Sequence, residues 1–538
     1  MEFFNATNYS KLKYFIYAFL AICLVFTIYT LIITNQSVGW DAGMGIKMTE
    51  NTVKNIPFNY YQHPAPDDLS KDELEFVTWW SPGQFALPLL IKAVTGSKIS
   101  TAVKVLTFIC MLAAAIGIYK LYDYLVTTGH SALTDKPSQK LIVYTALLFT
   151  LMQPFFWGNL YIYDGGGLLI LAYGPWFIYW VVKIEKLNFY SVFTILIGAL
   201  IGFFLKTSFT CILLGALLYL FLSTSIAFDK PLKNQNFRSI IINGIILAAI
   251  LFSYIIITRI CFLGHNRNIA DSSLGLRIQP RIIFFPIVAP VLGIFNFNFL
   301  DKTYQWIIAS GFIIPFYYLV IRSKNVTIHY KIIVTGFAGA CIVFFSFLYF
   351  INIDVSYELR HFLIISILIL PLFFIVFHQW QFVKYVLSSV LVLTFCLNIY
   401  QFAKQFAGRI IDKKPVDTHS GFRSSYPNSV INKIHNLDSI KNNAIFYFKA
   451  ADPSVALEIR NNRVLLEDNY INFHFDNKAR AKKTLYYGIN SGEIYVIYGD
   501  TQIKTDSVLY LTRFEKYKKF DAIYKSDGYT ILRAVPSN

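Results

Sequence analysis

Charged residues are scarce in this chain of 538 residues: they make up 15% of it, whereas a soluble domain usually carries about a quarter. Hydrophobic residues account for 55%, and the mean hydropathy is +0.49. This composition excludes an ordinary cytosolic enzyme. Cysteine is also rare, and the six cysteines stand singly, with no CxxC pair and no His/Cys spacing typical of a zinc site. They are expected to be small core residues.

Acidic residues are in the minority, because 31 Asp and Glu face 48 Lys and Arg and leave a formal net charge of +17. The basic residues lie mostly between apolar runs. Anionic lipid headgroups or a lipid phosphate are the expected partners of basic residues in such positions. A nucleic-acid partner is therefore not expected.

Apolar runs of about 20 residues recur from the N-terminus to about residue 402, and each is long enough to cross a bilayer core of roughly 30 Å. We predict a mainly α-helical, polytopic transmembrane bundle with about eleven crossings. The expected spans are 12–34, 101–126, 141–158, 165–183, 190–206, 209–226, 239–259, 305–322, 331–351, 361–378 and 382–402. Two further apolar stretches, 82–95 and 282–300, are interrupted by proline and are expected to be re-entrant or interfacial pieces.

The orientation of the expected spans in the membrane follows from the positive-inside rule. Several short connections between spans carry two or three basic residues each, which places them and the N-terminus in the cytoplasm. The long segments 35–100 and 260–304 then face outward, together with the short connections 159–164 and 352–360. The expected location is a bacterial inner membrane, crossed many times.

The composition changes after Gln401, where charged residues and short β-rich runs appear. The predicted strands are 444–448, 463–466, 493–498 and 529–532. Helices are expected over 454–460 and near 514–520. We therefore expect a transmembrane domain over 1–402 and a small extracytoplasmic α/β domain over 403–538.

A candidate catalytic acid, Asp41, follows the first span by a few residues and begins a segment expected to run as a membrane-surface helix to about Lys54. A carboxylate at this depth lies where a lipid-linked substrate presents its phosphate–sugar bond, and it can deprotonate an acceptor hydroxyl there. N-capping of the interfacial helix is the alternative explanation for an aspartate at this position.

Two more polar residues stand at the outer ends of predicted spans. Asp164 precedes three glycines, which either leave room for a ligand or permit close helix packing. Lys206 lies between two apolar runs, where a lysine is costly unless it snorkels to the interface or meets an anion.

The last outer connection crowds titratable residues into eight positions before an apolar span. They are Asp354, Glu358, Arg360 and His361. Arginine suits fork-like recognition of a phosphate, and a polar collar whose charges pair with each other is the alternative. The long loop 260–304 adds auxiliary candidates, although an ordinary solvated loop explains each of them as well. They are His265, Arg267, Arg277 and Arg281.

Several short motifs, separated in the sequence, follow one another in a particular order between about residues 10 and 400. They are Trp40-Asp41, Trp79-Trp80-Ser81-Pro82-Gly83-Gln84, Thr95-Gly96-Ser97, Asp164, the glycine-rich span from Gly198 to Lys206, and Arg360-His361-Phe362-Leu363 before Pro371. In this order they resemble the GT-C superfamily of integral-membrane glycosyltransferases that use polyprenyl-phosphate sugars, especially its protein-mannosyltransferase and aminoarabinose-transferase branch.

The resemblance implies an inverting transfer, in which Asp41 activates an acceptor hydroxyl for attack on the anomeric carbon while the lipid phosphate leaves. The residues implied to bind the donor phosphate or sugar are Asp164, Lys206, Glu358, Arg360 and His361. The implied partners are a polyprenyl-phosphate-linked sugar, the lipid bilayer, and a glycan, lipid or protein acceptor. No cofactor is certain. Asp164 is expected to orient the donor sugar, to hold Lys206 or to help bind a divalent cation, and the cation is the least favoured of these, because two acids in separate loops do not make an oxygen cage.

Three other functions fit parts of the pattern. A lipid-linked glycan flippase or transporter is expected to carry charged residues along a pathway that reaches both faces, whereas here they gather at one predicted face. An O-antigen polymerase or ligase would rely on arginines and a histidine in a large loop and would tolerate loss of Asp41. A non-catalytic envelope scaffold would leave Asp41 exposed to solvent, with no adjoining cavity.

Overall fold

A computed structural model describes most of the chain, from residue 6 to residue 536 with gaps. The described residues are 6–52, 56–76, 81–129, 136–226, 237–262, 279–295, 301–351, 358–377, 381–411, 418–424, 426–448, 453–466, 486–499 and 514–536. Helices predominate as far as residue 411, and a sheet dominates the remainder.

The apolar runs form helices, because a helix satisfies every backbone hydrogen-bonding group within its own segment when water is absent. The helices up to residue 411 are α1 Ala6–Ile33, α2 Trp40–Thr52, α3 Gly83–Thr95, α4 Ile99–Gly129, α5 Lys136–Leu151, α6 Pro154–Trp157, α7 Gly166–Val181, α8 Phe189–Leu205, α9 Thr210–Ser225, α10 Phe237–Cys261, α11 Pro280–Leu292, α12 Lys302–Arg322, α13 Ile328–Phe350, α14 Leu363–Phe377 and α15 Gln381–Ile411. Four strands accompany them: β1 Ser37–Val38, β2 Tyr60–Ala65, β3 Asp68–Phe76 and β4 Ile162–Tyr163.

Each expected span coincides with a helix or, over 141–158, with the bent pair α5 and α6. Seven helices among the described residues are long and apolar enough to cross a membrane, and the α5–α6 pair, bent by 56°, can form an eighth span. Helices α7, α8 and α14 have 16, 17 and 15 residues, fewer than the roughly 20 of a typical spanning helix. The polytopic helical bundle is confirmed, and the figure of eleven crossings stays a prediction.

The two proline-interrupted stretches form short helices. Helices α3 and α11 have 13 residues each and contain Pro88, and Pro286 with Pro290, respectively. Both are too short to cross a bilayer core of roughly 30 Å. The expectation that they are not full crossings agrees with these lengths.

Large apolar side chains cover the outermost helices. Ile32 of α1, Phe252 of α10 and Val392 of α15 are 72%, 65% and 62% exposed. An apolar surface of this extent is rare on a protein surrounded by water. It identifies the surface that contacts lipid in a multi-pass membrane protein.

Glycines allow close contact between helices α9 and α13. A Cβ atom at Gly215 would lie 2.8 Å from the Cα of Phe337, and one at Gly336 would lie 3.0 Å from the backbone nitrogen of Tyr219. Small residues at such positions let helix backbones approach and gain van der Waals contact, which is the main source of association between helices in lipid.

Helix α4 runs from one end of the bundle to the other. Its 31 residues span about 46 Å at 1.5 Å per residue. At its first turn the Ser100 amide donates to the Ser420 carbonyl of the C-terminal domain, and at its last turn the Gly129 carbonyl accepts from the Thr327 amide. The C-terminal domain therefore lies at one end of α4, and the start of α13 lies at the other.

The C-terminal domain contains a five-stranded mixed sheet, which confirms the expected α/β class. Its elements are α16 Asn428–Asp438, β5 Ile445–Phe448, α17 Pro453–Ala456, β6 Arg463–Leu466, β7 Ile494–Gly499, β8 Tyr517–Ser526 and β9 Tyr529–Pro536. The strand order is β6-β5-β7-β9-β8, with β5 parallel to both of its neighbours and the other pairs antiparallel.

The prediction of a helix near 514–520 is wrong, because this segment leads into strand β8. Strands β8 and β9 form a hairpin whose turn, Asp527-Gly528, has positive φ at both residues.

The segment 35–100 and the C-terminal domain pack on each other. The buried Lys47 of α2 donates its Nζ to the Ile459 carbonyl. Arg463 donates from Nε to Asp72 of β3 at 2.7 Å and from Nη1 to the Leu69 carbonyl at 2.8 Å. These contacts hold the C-terminal domain at the end of the bundle where Asp41 lies.

Candidate active site

A short parallel strand pair joins the segments 35–100 and 159–164. Strand β1 pairs with β4, and the amide of Gly39 donates to the Tyr163 carbonyl at 2.8 Å. A Cβ atom at Gly39 would lie 3.2 Å from that carbonyl oxygen, so glycine suits this close approach. Asp41 and Asp164 follow the paired strands directly, and the pairing brings them to the same place.

Asp41 occupies the first turn of α2 and does not cap it. The Gly39 carbonyl accepts from the Gly43 amide at 2.8 Å, which makes Gly39 the residue that opens the helix. The Asp41 carboxylate instead lies 3.4 Å from Nη2 of Arg360, and its side chain is 27% exposed. The carboxylate is therefore accessible to a ligand.

Arg360 contacts three carboxylates that are distant from one another in the sequence. Its Nη1 donates to Asp164 at 2.6 Å, its Nη2 approaches Asp41 at 3.4 Å, and its Nε contacts Glu358. Burial lowers the pKa of Arg360, but the three carboxylates outweigh burial and hold this pKa above its ordinary value. The guanidinium stays charged at any physiological pH.

Lys206 adds a second positive charge beside this ion-pair cluster. Its aliphatic chain lies over the backbone that follows Asp164, since a Cβ atom at Gly166 would be 3.3 Å from its Cδ. It interacts electrostatically with Asp164, Arg360 and Glu358. Within the part of the chain that the structure describes, its ammonium group makes no hydrogen bond or ion pair. An anion could therefore bind the Lys206 ammonium without first displacing a hydrogen-bond or ion-pair partner in the described part of the chain.

Ser81, just before α3, and Gln84, in its first turn, hold the loops that carry Asp164 and Lys206. The Ser81 hydroxyl accepts from the amide of Thr207, and the Gln84 side-chain oxygen accepts from the amide of Gly166 at 3.1 Å. The Tyr163 hydroxyl donates to the Gln84 carbonyl at 2.5 Å. The sequence marks Ser81 and Gln84 only as parts of a resembling segment, and their positioning role becomes visible in the fold.

His361 lies next to Arg360, with its ring 5.3 Å from the ring of Phe345. Both of its ring nitrogens are buried, and neither has a hydrogen-bond partner among the described residues. It interacts electrostatically with Lys206 as well as with Arg360. All six predicted site residues, Asp41, Asp164, Lys206, Glu358, Arg360 and His361, thus meet in one region.

Of the remaining candidates, Arg281 lies among the described residues. Asp354, His265, Arg267 and Arg277 lie outside the described residues. Arg281, at the start of α11, places its guanidinium 5.2 Å from the ring centre of Trp306. This contact is a cation–π interaction.

Among the described residues, the carboxylates around Asp164 face a guanidinium and not an open site lined by oxygens. Asp41 and Asp164 both face the same guanidinium, which already supplies the positive charge between them. A divalent cation would need several oxygen ligands at about 2.0 to 2.6 Å in the volume that the guanidinium fills. The arrangement suits a group that binds to Arg360 and Lys206, such as a phosphate.

Comparisons with known proteins find similar structures but no similar sequence. No family model and no curated protein matches the sequence. The fold is similar to the crystal structure of ArnT from Cupriavidus metallidurans in the apo state, with a TM-score of 0.57 and 8% identity over 97% of this chain and 98% of that one.

The same ArnT bound to undecaprenyl phosphate gives a TM-score of 0.51 and 8% identity, over 96% of this chain and 98% of that one. At this identity the likeness concerns the fold alone. Over nearly its whole length, therefore, the chain has the polytopic fold of ArnT, as its resemblance to the GT-C superfamily predicts.

Proposed function

We propose that this chain is an integral-membrane glycosyltransferase that moves a sugar from a polyprenyl-phosphate donor to a glycan, lipid or protein acceptor. The observation that supports this function is the cluster of Asp41, Arg360 and Lys206 at one end of a helical bundle. Displacement of a phosphate from an anomeric carbon needs a base for the acceptor hydroxyl and cations for the leaving oxygen. The cluster supplies both.

In this proposal Asp41 takes the proton of the acceptor hydroxyl while the oxygen attacks the anomeric carbon. The bond from that carbon to the phosphate oxygen breaks on the opposite side, so the configuration inverts. Arg360 binds Asp164 at 2.6 Å but approaches Asp41 only at 3.4 Å. An incoming phosphate therefore displaces Asp41 from the guanidinium more easily than Asp164, and this exchange leaves Asp41 available as the base.

The proposed location is a bacterial inner membrane, with the reaction at its outer face. The N-terminus would be cytoplasmic, and the C-terminal domain would be extracytoplasmic and lie beside the site. The packing of α2 and α4 on that domain supports this arrangement, because it gathers the cluster and the domain at one end of the bundle.

The two main alternatives predict a different polar architecture. A flippase would need charged residues along a pathway through the bundle, whereas the six site residues gather at one end. A polymerase or ligase would not depend on Asp41, whose carboxylate lies within the ion-pair cluster.

Binding of undecaprenyl phosphate to the purified full-length protein tests the proposal. Loss of a hydrogen bond to a charged group costs about 1.5 to 3 kcal/mol, so Lys206→Met is expected to weaken binding by roughly 10- to 150-fold. The matched control is Lys183→Met, which removes an exposed lysine from the connection between α7 and α8. Native mass spectrometry with undecaprenyl phosphate as the probe measures the affinities.

Two results would contradict the proposal: no specific binding of undecaprenyl phosphate by the wild type, or equal loss of affinity in the Lys206 and Lys183 variants. Equal loss would mean that the lysines act only through the general positive charge of the protein.

A further inference from the structure

Two histidines and one glutamate meet in the C-terminal domain, away from the residues of the candidate active site. His419 lies in the loop before α16, His435 lies in α16, and Glu458 follows α17. Each offers one ligand atom, and these three atoms lie within 4.8 Å of one another. The residues are separated by many positions in sequence and match no local metal-binding motif, which is why the sequence alone gives no signal.

We propose that His419, His435 and Glu458 bind a divalent transition-metal ion, for which zinc is the best-suited class. Two imidazole nitrogens and one carboxylate oxygen are a common protein ligand set for zinc. Ligands about 2.0 to 2.2 Å from a tetrahedral ion lie roughly 3.3 Å apart. To reach that geometry from 4.8 Å, the two imidazoles must rotate out of their parallel stack, because an imidazole nitrogen binds a metal in the plane of its ring.

An unsatisfied nitrogen in the cluster supports the proposal. The Nδ1 atom of His419 is buried and has no hydrogen-bond partner among the described residues. A buried polar atom normally has a partner, and leaving it without one costs free energy. Its ring stacks on that of His435 with centroids 3.8 Å apart and an angle of 11°.

Hydrogen bonds hold the glutamate in place. Its two oxygens accept from the amides of His419 at 2.6 Å and Ser420 at 3.1 Å, and Nε2 of His435 lies 2.8 Å from Oε2.

An ion can reach the cluster at His435, whose side chain is 16% exposed, whereas that of Glu458 is fully buried. A metal on Nε2 of His435 would replace the hydrogen bond between Nε2 and Oε2, and the neutral ring would then carry its proton on Nδ1. Three protein ligands leave the fourth position of a tetrahedral ion to water.

The site lies at the junction between the C-terminal domain and the bundle. Ile459, next to Glu458, accepts from Lys47 of α2, and Thr418 and Ser420, on either side of His419, accept from Lys98 and the Ser100 amide of α4. A bound ion would tie the loop, α16 and the segment after α17 together where they contact α2. Its role is therefore to stabilise the docked domain.

Metal titration of the full-length protein, purified without a histidine tag and treated with chelator, tests the site. Co²⁺ is the probe, because its visible absorption reports tetrahedral coordination, and Zn²⁺ is then added as a competitor. The wild type is expected to bind about one Co²⁺ per chain, which Zn²⁺ displaces. His419→Ala and His435→Ala should each weaken binding by more than about 100-fold, since even residues that only support a ligand contribute 10- to 100-fold.

His329→Ala is the matched control, because His329 is a partly buried histidine in α13 that contacts Tyr124. It should bind the metal as the wild type does. His435→Gln covers the case of a misfolded alanine variant, since glutamine can still donate to Glu458 but is a poor zinc ligand. Folded wild type that binds no Co²⁺, or unchanged affinity in the His419 and His435 variants, would overturn the proposal. No sugar donor is involved, so this outcome is independent of the proposed glycosyltransferase activity.

Discussion

Asp41→Asn is expected to reduce sugar transfer by about 10²- to 10⁴-fold, the contribution of a positioned general base. Asparagine has nearly the same shape as aspartate and can still lie near Arg360, but it cannot take a proton from an acceptor hydroxyl. Expression and membrane insertion should be unchanged, because the side chain is 27% exposed and does not cap α2.

The substrate for this assay comes from the cell itself. Mass spectrometry of cells lacking the protein identifies the glycan or glycolipid that disappears, and the purified wild type and variant are then compared on that substrate. Glu50→Gln is the matched control, because Glu50 lies on the same helix but pairs with Lys92 of α3. Wild-type turnover by Asp41→Asn would reject Asp41 as the base and would favour a polymerase- or ligase-like reaction.

Arg360→Ala is expected to lower kcat/KM by about 10²- to 10³-fold, the usual effect of removing one donor to a developing negative charge. The loss has two causes. The leaving phosphate no longer meets a guanidinium fork, and the carboxylates of Asp41, Asp164 and Glu358 lose the cation between them and repel the phosphate.

Arg360→Lys should recover part of the activity, because a lysine restores the charge but not the planar fork that serves several oxygens at once. The lysine variant also guards against misfolding of the alanine variant. Arg322→Ala, at the far end of α12 where the guanidinium lies over Tyr318, is the control. Equal activity of Arg360→Ala and the wild type would show that the ion-pair cluster is only structural.

The helices of the bundle were predictable because their signal is local. A run of about 20 apolar residues can satisfy its backbone in lipid only as a helix, and every expected span holds a helix or a bent helix pair. Helix α2 was also predicted, and it ends at Thr52, close to the expected Lys54. The hairpin of β2 and β3 was not predicted, because its charged strands lie in a loop and depend on contacts such as Arg463 with Asp72.

The site residues were predicted as a group, but their pairings were not. Arg360 and Asp164 are 196 positions apart, and nothing local to either residue specifies the other. Of the two alternatives for the segment 352–360, the described contacts show charge pairing, and phosphate recognition stays a proposal. Arg360 pairs with Glu358 of its own loop and also with acids from two other loops.

The positioning residues and the histidine–glutamate cluster were out of reach for the same reason. Gln84 acts through the backbone of Gly166, and His419, His435 and Glu458 converge only when α16 and the segment after α17 fold together. Contacts of this kind leave no periodicity and no fixed spacing in the sequence.

The most direct measurement is a structure of the full-length protein with undecaprenyl phosphate bound, at a resolution that shows the headgroup. The phosphate is predicted to contact Arg360 and Lys206, with the Asp41 carboxylate displaced from the guanidinium toward the open side of the cluster. A headgroup bound elsewhere at saturating lipid, with the contact between Arg360 and Asp41 intact, would contradict the account.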